Sequence, residues 1–168
     1  MLNIAFHPIY QLPLPVKHRF PMEKYDLLPR QLMHEGTCTP EDFFTPTALD
    51  RATIERIHHS EYIDKLLALD LDKKEARKIG FPLSKQLIDR EIIIAGGTIQ
   101  GALKALEHGI AMNIAGGTHH AFKAHGEAFC LFNDQAIAAQ YLLDQELVDT
   151  ILIVDLDVHQ GNGTAEIF

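Results

Sequence analysis

The sequence predicts an α/β domain with a mostly parallel sheet. Short apolar runs that suit strands alternate with segments of helical periodicity, and clusters of Gly, Asp and His follow two of the apolar runs. In such a fold ligands gather at the carboxyl ends of the strands. The chain has 168 residues, of which 46% are hydrophobic and 23% charged, so one hydrophobic core is expected.

Three apolar runs are the predicted strands. They are Leu2 to Phe6, Ile110 to Ala115 and Thr150 to Asp155, and the last is rich in β-branched residues. The first run leads into a loop that contains Pro8, Pro13, Pro15 and Pro21.

Helical spacing predicts two helices in the first half of the chain. Apolar residues recur from Met22 to His34, where Pro29 is expected to kink or divide the helix and Gly36 to end it. The second helix begins at Ser60, whose hydroxyl is the predicted cap, and presents one apolar face along SEYIDKLLALD.

Two more helices are predicted further along. One runs roughly from Ser84 to His108 with Gly96 and Gly97 at its centre, where glycine costs about 1 kcal/mol relative to alanine. Close packing against a neighbour is the expected compensation. The other is capped by Asn133 or Asp134 and continues through Leu143.

Composition limits the partners and the compartment. A formal charge of −8 and a pI near 5.6 argue against sequence-independent binding of nucleic acid, and favour a cationic small molecule or a Lys-bearing peptide. Cys38 and Cys130 form no clustered motif, which indicates a reducing compartment. No signal-like or membrane-spanning run is found, so we expect a cytoplasmic protein that does not insert into a membrane.

The end of the third predicted strand carries candidate metal ligands. Asp155, Asp157 and His159 alternate along the strand, so their side chains point to the same side. Carboxylate oxygen and imidazole nitrogen suit a catalytic zinc ion, and Gly161 and Gly163 allow close approach of the backbone. The alternative is a polar turn in which the two carboxylates cap neighbouring amides.

Two adjacent histidines follow the second predicted strand. His119 and His120 come after Gly116-Gly117, at what should be the same edge of the sheet, and are suited to general acid–base catalysis. A surface turn is the alternative, and we assign it to the other adjacent pair, His58-His59, which has no glycines or metal-like strand beside it.

An apolar loop lies between these two clusters, from Gly126 to Asp134. Phe129 and Phe132 suit either the core or the wall of a narrow tunnel for an aliphatic chain. Cys130 has no neighbouring base or cation and is expected to be a small buried residue.

Three motifs together closely resemble the histone deacetylase, acetoin-utilization and acetylpolyamine amidohydrolase superfamily: GGTHHA at 116–121, EAFCLFND at 127–134 and DLDVHQGNGT at 155–164. The segments 17–25 and 79–106 look like its bacterial, class IV-like branch. The resemblance implies an arginase/deacetylase-like three-layer fold with a mostly parallel sheet. It also implies that residues 1–168 form the N-terminal part of a single catalytic domain, with the C-terminal part absent.

The resemblance assigns roles residue by residue. It implies that Asp157 and His159 bind zinc, that His119 and His120 are the catalytic histidines, and that Asp155 orients His119 while Asn162 orients His120. It places substrate contacts at Phe129, Ala128, Gly117 and Arg19, where Phe129 walls the acyl-lysine tunnel and Arg19 lines the channel through which acetate leaves. A structural potassium ion is implied near Asp155, Asp157 and the His159 backbone. Ala128 departs from the glycine usual at its position, which reshapes the tunnel.

The implied reaction is zinc-dependent hydrolysis of an N-acetyl amide, of acetyl-lysine or of an acetylated polyamine or other small amine, to amine and acetate. The third zinc ligand, an Asp, and the Tyr that polarises the carbonyl are expected beyond Phe168, so we expect residues 1–168 alone to be inactive and, with an open sheet edge, prone to form homo-oligomers. Two alternatives remain. One is a non-catalytic truncated paralogue that acts as an oligomeric binding protein, and the other is an arginase-like binuclear manganese hydrolase, whose strand would read D-x-H-x-D.

Overall fold

A three-stranded parallel sheet organises the chain, for which the computed structural model describes residues 2–168. The strands are β1 (Asn3–Ala5), β2 (Phe43–Phe44) and β3 (Ala111–Asn113), in the order β2-β1-β3. In register, Ile4 of β1 lies opposite Phe43 on one side and Met112 on the other. The central strand β1 is fully buried, as the apolar run at the N-terminus predicts.

The described residues also form seven helices. They are α1 (Lys24–His34), α2 (Arg51–Glu55), α3 (Ser60–Leu67), α4 (Lys73–Ile79), α5 (Lys85–His108), α6 (Asp134–Asp144) and α7 (Asn162–Ile167), and two 3-10 turns lie at Pro8–Tyr10 and Pro40–Asp42. The long helix α5 packs against β1, β3 and α6 and thus joins the sheet to the helical layer. Within residues 2–168 no helix has the length and apolar character needed to cross a membrane.

The starts of α5 and α6 carry side-chain caps, whereas the cap predicted for α3 is not formed. Ser84 Oγ accepts the N–H of Leu87 at the start of α5, and the Asn133 side chain accepts the N–H of Ala136 at the start of α6. The predicted cap at Ser60 is wrong, because Ser60 is the first residue inside α3 and the capping position belongs to His59, which makes no side-chain bond.

Pro29 lies inside α1 and does not divide it. The helix runs unbroken from Lys24 to His34, since the missing N–H leaves only the carbonyl four residues earlier without its helical partner. Beyond the helix, Gly36 adopts a left-handed conformation and its N–H bonds to the carbonyl of Met33, so the predicted end of the helix is confirmed.

The glycine pair in α5 allows the close packing that the sequence predicts. A Cβ atom on Gly97 would lie 2.6 Å from Tyr10 Oη and 2.9 Å from Asn113 Nδ2. These two side chains are held in place by the hydrogen bond that the Tyr10 hydroxyl donates to Asn113 Oδ1. Gly97 thus lets the helix approach the 3-10 turn after β1 and the end of β3.

We expect Gly97→Ala to lower the free energy of unfolding by about 1–3 kcal/mol, because the added methyl overfills this contact. Gly101→Ala is the matched control in the same helix, since its Cβ would meet Ala111 Cβ at 3.8 Å, an ordinary contact. That change should stabilise the protein by up to about 1 kcal/mol through helix propensity. Urea unfolding of both variants checks the prediction, and equal effects would contradict the packing argument.

The predicted strand from Thr150 to Asp155 is not a strand in the described structure, which corrects the sequence prediction. The segment pairs with no strand among residues 2–168. Ile151 and Ile153 face an apolar pocket against α6 and α7, whereas Leu152 and Val154 are 84% and 67% exposed. A β-strand needs a neighbour to receive its backbone hydrogen bonds, and apolar alternation alone cannot supply one.

Candidate active site

The polar residues singled out by the sequence come together where three loops meet. The tandem-histidine turn follows β3, the Phe129 loop precedes α6, and the acidic segment at 155–159 leads into α7. Gly116 has a φ of +129°, and a Cβ there would lie 2.5 Å from the Asp134 carboxylate. Only glycine suits this turn, which directs His119 and His120 toward the acidic segment.

His119 is paired with Asp155. The imidazole Nδ1 lies 2.5 Å from Asp155 Oδ2, and His119 itself is buried. Because a carboxylate only accepts hydrogen bonds, the Nδ1 atom carries the proton and Nε2 is left free. The bond from His119, together with the N–H of Asp157, holds the pKa of Asp155 below its usual range, so this carboxylate is ionised at neutral pH.

His120 is paired with Asn162, the first residue of α7. Its Nδ1 lies 2.6 Å from Asn162 Oδ1, and the same oxygen accepts the N–H of Gly163. Two donors at one amide oxygen fix the orientation of the amide, so His120 donates this hydrogen bond from Nδ1, and its Nε2 is not engaged by Asn162. The two histidine rings lie 4.2 Å apart, centroid to centroid.

Asp157 and His159 lie beside the histidine pair and are the candidate metal ligands. Asp157 Oδ1 and His159 Nδ1 are 2.9 Å apart, so a cation could take the place of the proton between them. Hydrogen bonds from the His159 backbone and ring hold the pKa of Asp157 below its usual range, which keeps the carboxylate ready to bind a cation.

The donor chemistry of this pair fits zinc, which is bound by Asp oxygen and His nitrogen. In the part of the chain that the structure describes, no group of three or more His, Cys, Asp or Glu side chains is arranged to hold a metal ion. Asp157 and His159 are therefore two candidate donors without a third beside them among the described residues.

Glycines let α7 approach the histidines. A Cβ on Gly161 would lie 2.7 Å from Asp155 Oδ2, and a Cβ on Gly163 would clash with the carbonyl oxygens of His119 and Ala121. The N–H of Thr164 also donates to the His119 carbonyl. The G-x-G pattern therefore serves to seat the first turn of α7 against the tandem-histidine turn.

A pocket of about 540 Å³ opens beside these residues. Both histidines and both candidate metal ligands line it, together with four residues that the sequence resemblance assigns to substrate: Arg19, Gly117, Ala128 and Phe129. Asp155 and Asn162 lie behind the histidines, where they orient the rings and do not line the pocket.

The Phe129 side chain forms an aromatic wall of the pocket. Its ring contacts Phe20 and Phe81, each at a centroid distance of 5.0 Å, and the Arg19 guanidinium lies 4.9 Å from its centroid. The backbone of the loop is fixed to the end of α4, where the N–H of Phe129 bonds to the Ile79 carbonyl. The wall is therefore built from parts of the chain far apart in sequence.

Ala128 has a left-handed backbone with a φ of +46°, which costs a residue with a Cβ about 1–2 kcal/mol. We expect Ala128→Gly to raise the free energy of unfolding by about 0.5–1 kcal/mol, since the greater freedom of glycine in the unfolded chain offsets part of the gain. Ala138→Gly, inside α6, is the control and should destabilise by about 1 kcal/mol. A loss of stability in Ala128→Gly, measured by urea unfolding, would contradict the strain at this residue.

Arg90, Glu91 and Lys24 also belong to this region, and the sequence reasoning missed them. Arg90 and Lys24 line the pocket, and the buried Arg90 pairs with the buried Glu91 and donates to the Tyr10 carbonyl at 2.7 Å. Burial and the nearby Arg90 guanidinium lower the pKa of Lys24. Two charged residues beside the apolar run of α5, with Arg90 on the face of Ile94 and Gly97, are the signal that could have revealed Arg90 and Glu91.

Two further residues test the sequence predictions. His58 is 1% exposed, so its assignment to a surface turn is wrong, whereas its neighbour His59 is exposed. Cys130 is buried as predicted, and burial raises the pKa of its thiol to about 12, which leaves it protonated and unreactive at neutral pH.

Comparison with known proteins gives a consistent result. An uncharacterised protein of Picosynechococcus sp. is 47% identical over 165 residues, which are 98% of this chain and 55% of that protein. Histone deacetylase clr6 of Schizosaccharomyces pombe is 37% identical over 136 residues, 74% of this chain and 33% of clr6.

A solved structure of a histone deacetylase homologue in complex with SAHA matches with a TM-score of 0.82 at 25% identity, covering 99% of this chain and 47% of that one. This match confirms the predicted α/β fold with a mostly parallel sheet. The chain spans about half the length, or less, of these relatives. The histone deacetylase domain family matches residues 18–168, and the chain therefore belongs to that family.

Proposed function

We propose that the protein is a zinc-dependent deacetylase, which hydrolyses an N-acetyl amide to an amine and acetate. The observation that carries this proposal is the orientation of the two histidines. Asp155 and Asn162 each occupy an Nδ1 atom, so both rings keep a free Nε2 in a pocket that also holds Asp157 and His159. Two oriented bases beside a carboxylate and an imidazole suit hydrolysis assisted by a metal.

Asp157 and His159 would hold the zinc ion. When bound, zinc polarises the amide carbonyl and lowers the pKa of a water molecule from 15.7 to about 7, so no protein nucleophile is needed. A potassium ion would take oxygen donors from Asp155, Asp157 and the His159 carbonyl.

His120 is the general base and acid in this proposal. Its Nε2 takes a proton from the attacking water as the new C–O bond forms, and returns that proton to the amine nitrogen as the C–N bond breaks. Asn162 holds the ring in place through both proton transfers. His119 donates its Nδ1 proton to the ionised Asp155, and in this proposal the ring held in this way supports the negative charge that develops on the substrate.

We further propose that residues 1–168 form the N-terminal part of one catalytic domain. The other ligand of the zinc ion and a Tyr that polarises the carbonyl would then come from outside this sequence, and residues 1–168 alone would be inactive. The length of the relatives supports this proposal, since the chain covers 55% of one relative and 47% of a related solved structure. The two cysteines, buried and unpaired, support a reducing compartment such as the cytoplasm.

The substrate that we propose is acetyl-lysine or an acetylated polyamine. Phe129 and Phe20 supply apolar surface for an aliphatic chain, and the net charge of −8 favours a cationic substrate over an anionic one. SAHA binds the related solved structure, and it is therefore a useful probe of the same pocket.

The test is release of acetate by the natural protein, loaded with zinc, from an acetyl-lysine peptide and from an acetylated polyamine. We expect turnover of at least one substrate, inhibition by SAHA and loss of activity after chelation. Tight, stoichiometric zinc without turnover of either substrate would contradict the proposal. Absence of both zinc and turnover would favour a non-catalytic binding protein.

A further inference from the structure

Asn133 lies at the centre of the loops that form the candidate site, although it does not line the pocket. Its side chain is 0% exposed and every polar atom has a partner. The amide Nδ2 donates to the Ala121 carbonyl at 3.1 Å and to Thr164 Oγ1 at 3.0 Å, while Oδ1 accepts the N–H of Ala136. One side chain thus joins the tandem-histidine turn, α7 and α6.

The two bonds from Nδ2 reach both halves of the His120–Asn162 pair. Ala121 follows His120 directly, and Thr164 lies two residues after Asn162 in α7. Thr164 also donates its backbone N–H to the His119 carbonyl at 3.1 Å. The distance between His120 Nδ1 and Asn162 Oδ1 therefore depends on how the tandem-histidine turn packs against α7, and Asn133 bonds to both.

His58 fixes Asn133 from the other side. Its Nε2 accepts the N–H of Asn133 at 3.0 Å, and its Nδ1 lies 2.9 Å from the carbonyl of Phe122. Since a carbonyl only accepts, Nδ1 carries the proton and the neutral tautomer is fixed. Burial lowers the pKa of His58 to about 4, so the neutral ring that both bonds require persists at neutral pH.

The bonds of His58 close the neck of a loop. Phe122 and Asn133 are the two ends of the segment that carries Phe129, and His58 bridges them through its two nitrogens. His58 also packs against the ring of Phe132 at a centroid distance of 5.4 Å. This buried imidazole thus fixes the position of the pocket loop relative to the tandem-histidine turn.

We propose that Asn133, fixed by His58, is a positioning residue that sets the contact between His120 and Asn162. It acts through the backbone of the tandem-histidine turn and through Thr164 in α7, and touches no reacting atom. The consequence for catalysis rests on the proposed deacetylase function, but the consequence for the His120 hydrogen bond does not.

The first test uses Thr164, which receives the Asn133 bond and does not line the pocket with the histidines. Thr164→Val keeps the shape and removes the acceptor, so a buried N–H of Asn133 is left without a partner. Thr164→Ser keeps the hydroxyl and is the matched control. In the natural protein with zinc, we expect kcat to fall about tenfold in Thr164→Val with KM unchanged, and to stay near wild type in Thr164→Ser, because small misplacements of a catalytic group slow turnover strongly.

The second test separates the two bonds of His58. His58→Gln can place an amide oxygen near the Nε2 position and accept the Asn133 N–H, whereas His58→Asn can place its amide near Nδ1 and reach only the Phe122 carbonyl. We expect His58→Gln to retain more of kcat than His58→Asn. The reverse order would overturn the role of Asn133. If Thr164→Val does not fold, the comparison of the two His58 variants still decides whether Asn133 is a positioning residue.

A readout independent of activity completes the design. The proton on His120 Nδ1, shared with Asn162, should give a downfield NMR signal in the wild type and in Thr164→Ser, and a shifted or exchange-broadened one in Thr164→Val. Lower thermal stability of Thr164→Val with an unchanged signal and unchanged kcat would show a structural role only and overturn the proposal. If the wild type has no deacetylase activity, the proposed function fails, and this signal still decides the positioning role.

Discussion

Replacement of His120 by alanine should lower kcat of the zinc-loaded natural protein by about 10²–10⁴-fold, the range that a positioned acid–base group contributes. The change removes the only free imidazole nitrogen that is oriented by Asn162, so neither the attacking water nor the leaving amine has its proton carrier. Bound zinc should remain, because His120 is not one of the proposed ligands. Acetate release and metal content of the same sample measure the two effects together.

The matched control is His59→Ala, which removes one residue of the other adjacent histidine pair. His59 is exposed, lies before α3 and makes no side-chain cap, so turnover should stay near wild type. Unchanged turnover in His120→Ala would contradict the role of His120 as the general base and acid. Loss of zinc in that variant would instead make His120 a metal ligand.

Asp157→Ala should remove both zinc and turnover. The Asp157 carboxylate and the His159 imidazole are the two candidate metal ligands, and their nearest donor atoms lie 2.9 Å apart. Hydrogen bonds lower the pKa of Asp157, so the carboxylate is held as the anion that a cation binds. Changing a residue that hydrogen-bonds to a metal ligand typically costs about 10–100-fold in metal affinity, so loss of a direct ligand should weaken zinc binding at least about 100-fold.

Zinc content after dialysis and kcat over a range of added zinc measure this prediction. Asp70→Ala, on an exposed carboxylate after α3, is the control and should change neither quantity. Retention of stoichiometric zinc by Asp157→Ala would remove Asp157 from the ligand set. Recovery of kcat at high zinc would show that the residue binds the metal and has no further role in the reaction.

Local patterns in the sequence correctly predicted several elements of the fold. The apolar run at the N-terminus is β1, the long periodic segment is α5, and Asn133 caps α6. Each of these depends on residues a few positions apart, so periodicity and capping chemistry can reveal them. No prediction was made for β2, α2, α4 and α7, which have two to seven residues each and lack the longer apolar runs that mark β1 and β3.

Contacts between distant residues explain the predictions that failed. His58 reads as half of a surface pair, but its partners Phe122 and Asn133 lie 64 and 75 residues away and bury it. Thr150 to Asp155 has strand composition, yet a strand also requires a neighbouring strand that pairs with it, and neither edge strand of the described sheet, β2 or β3, pairs with this segment. Neither partner is visible in a local window of sequence.

The sequence by itself determined the α/β class, the family and the chemical character of the site, because the motifs that carry Gly, His and Asp are short and contiguous. The resemblance implied that Asp155 and Asn162, 36 and 42 residues away, orient the two histidines, but only the tertiary structure decided that each bond is made at Nδ1. It alone also revealed Asn133 as the common partner of the tandem-histidine turn and α7. Hydrogen bonds are short and directional, so these contacts form only where folding brings distant side chains together. A local sequence pattern does not reveal them.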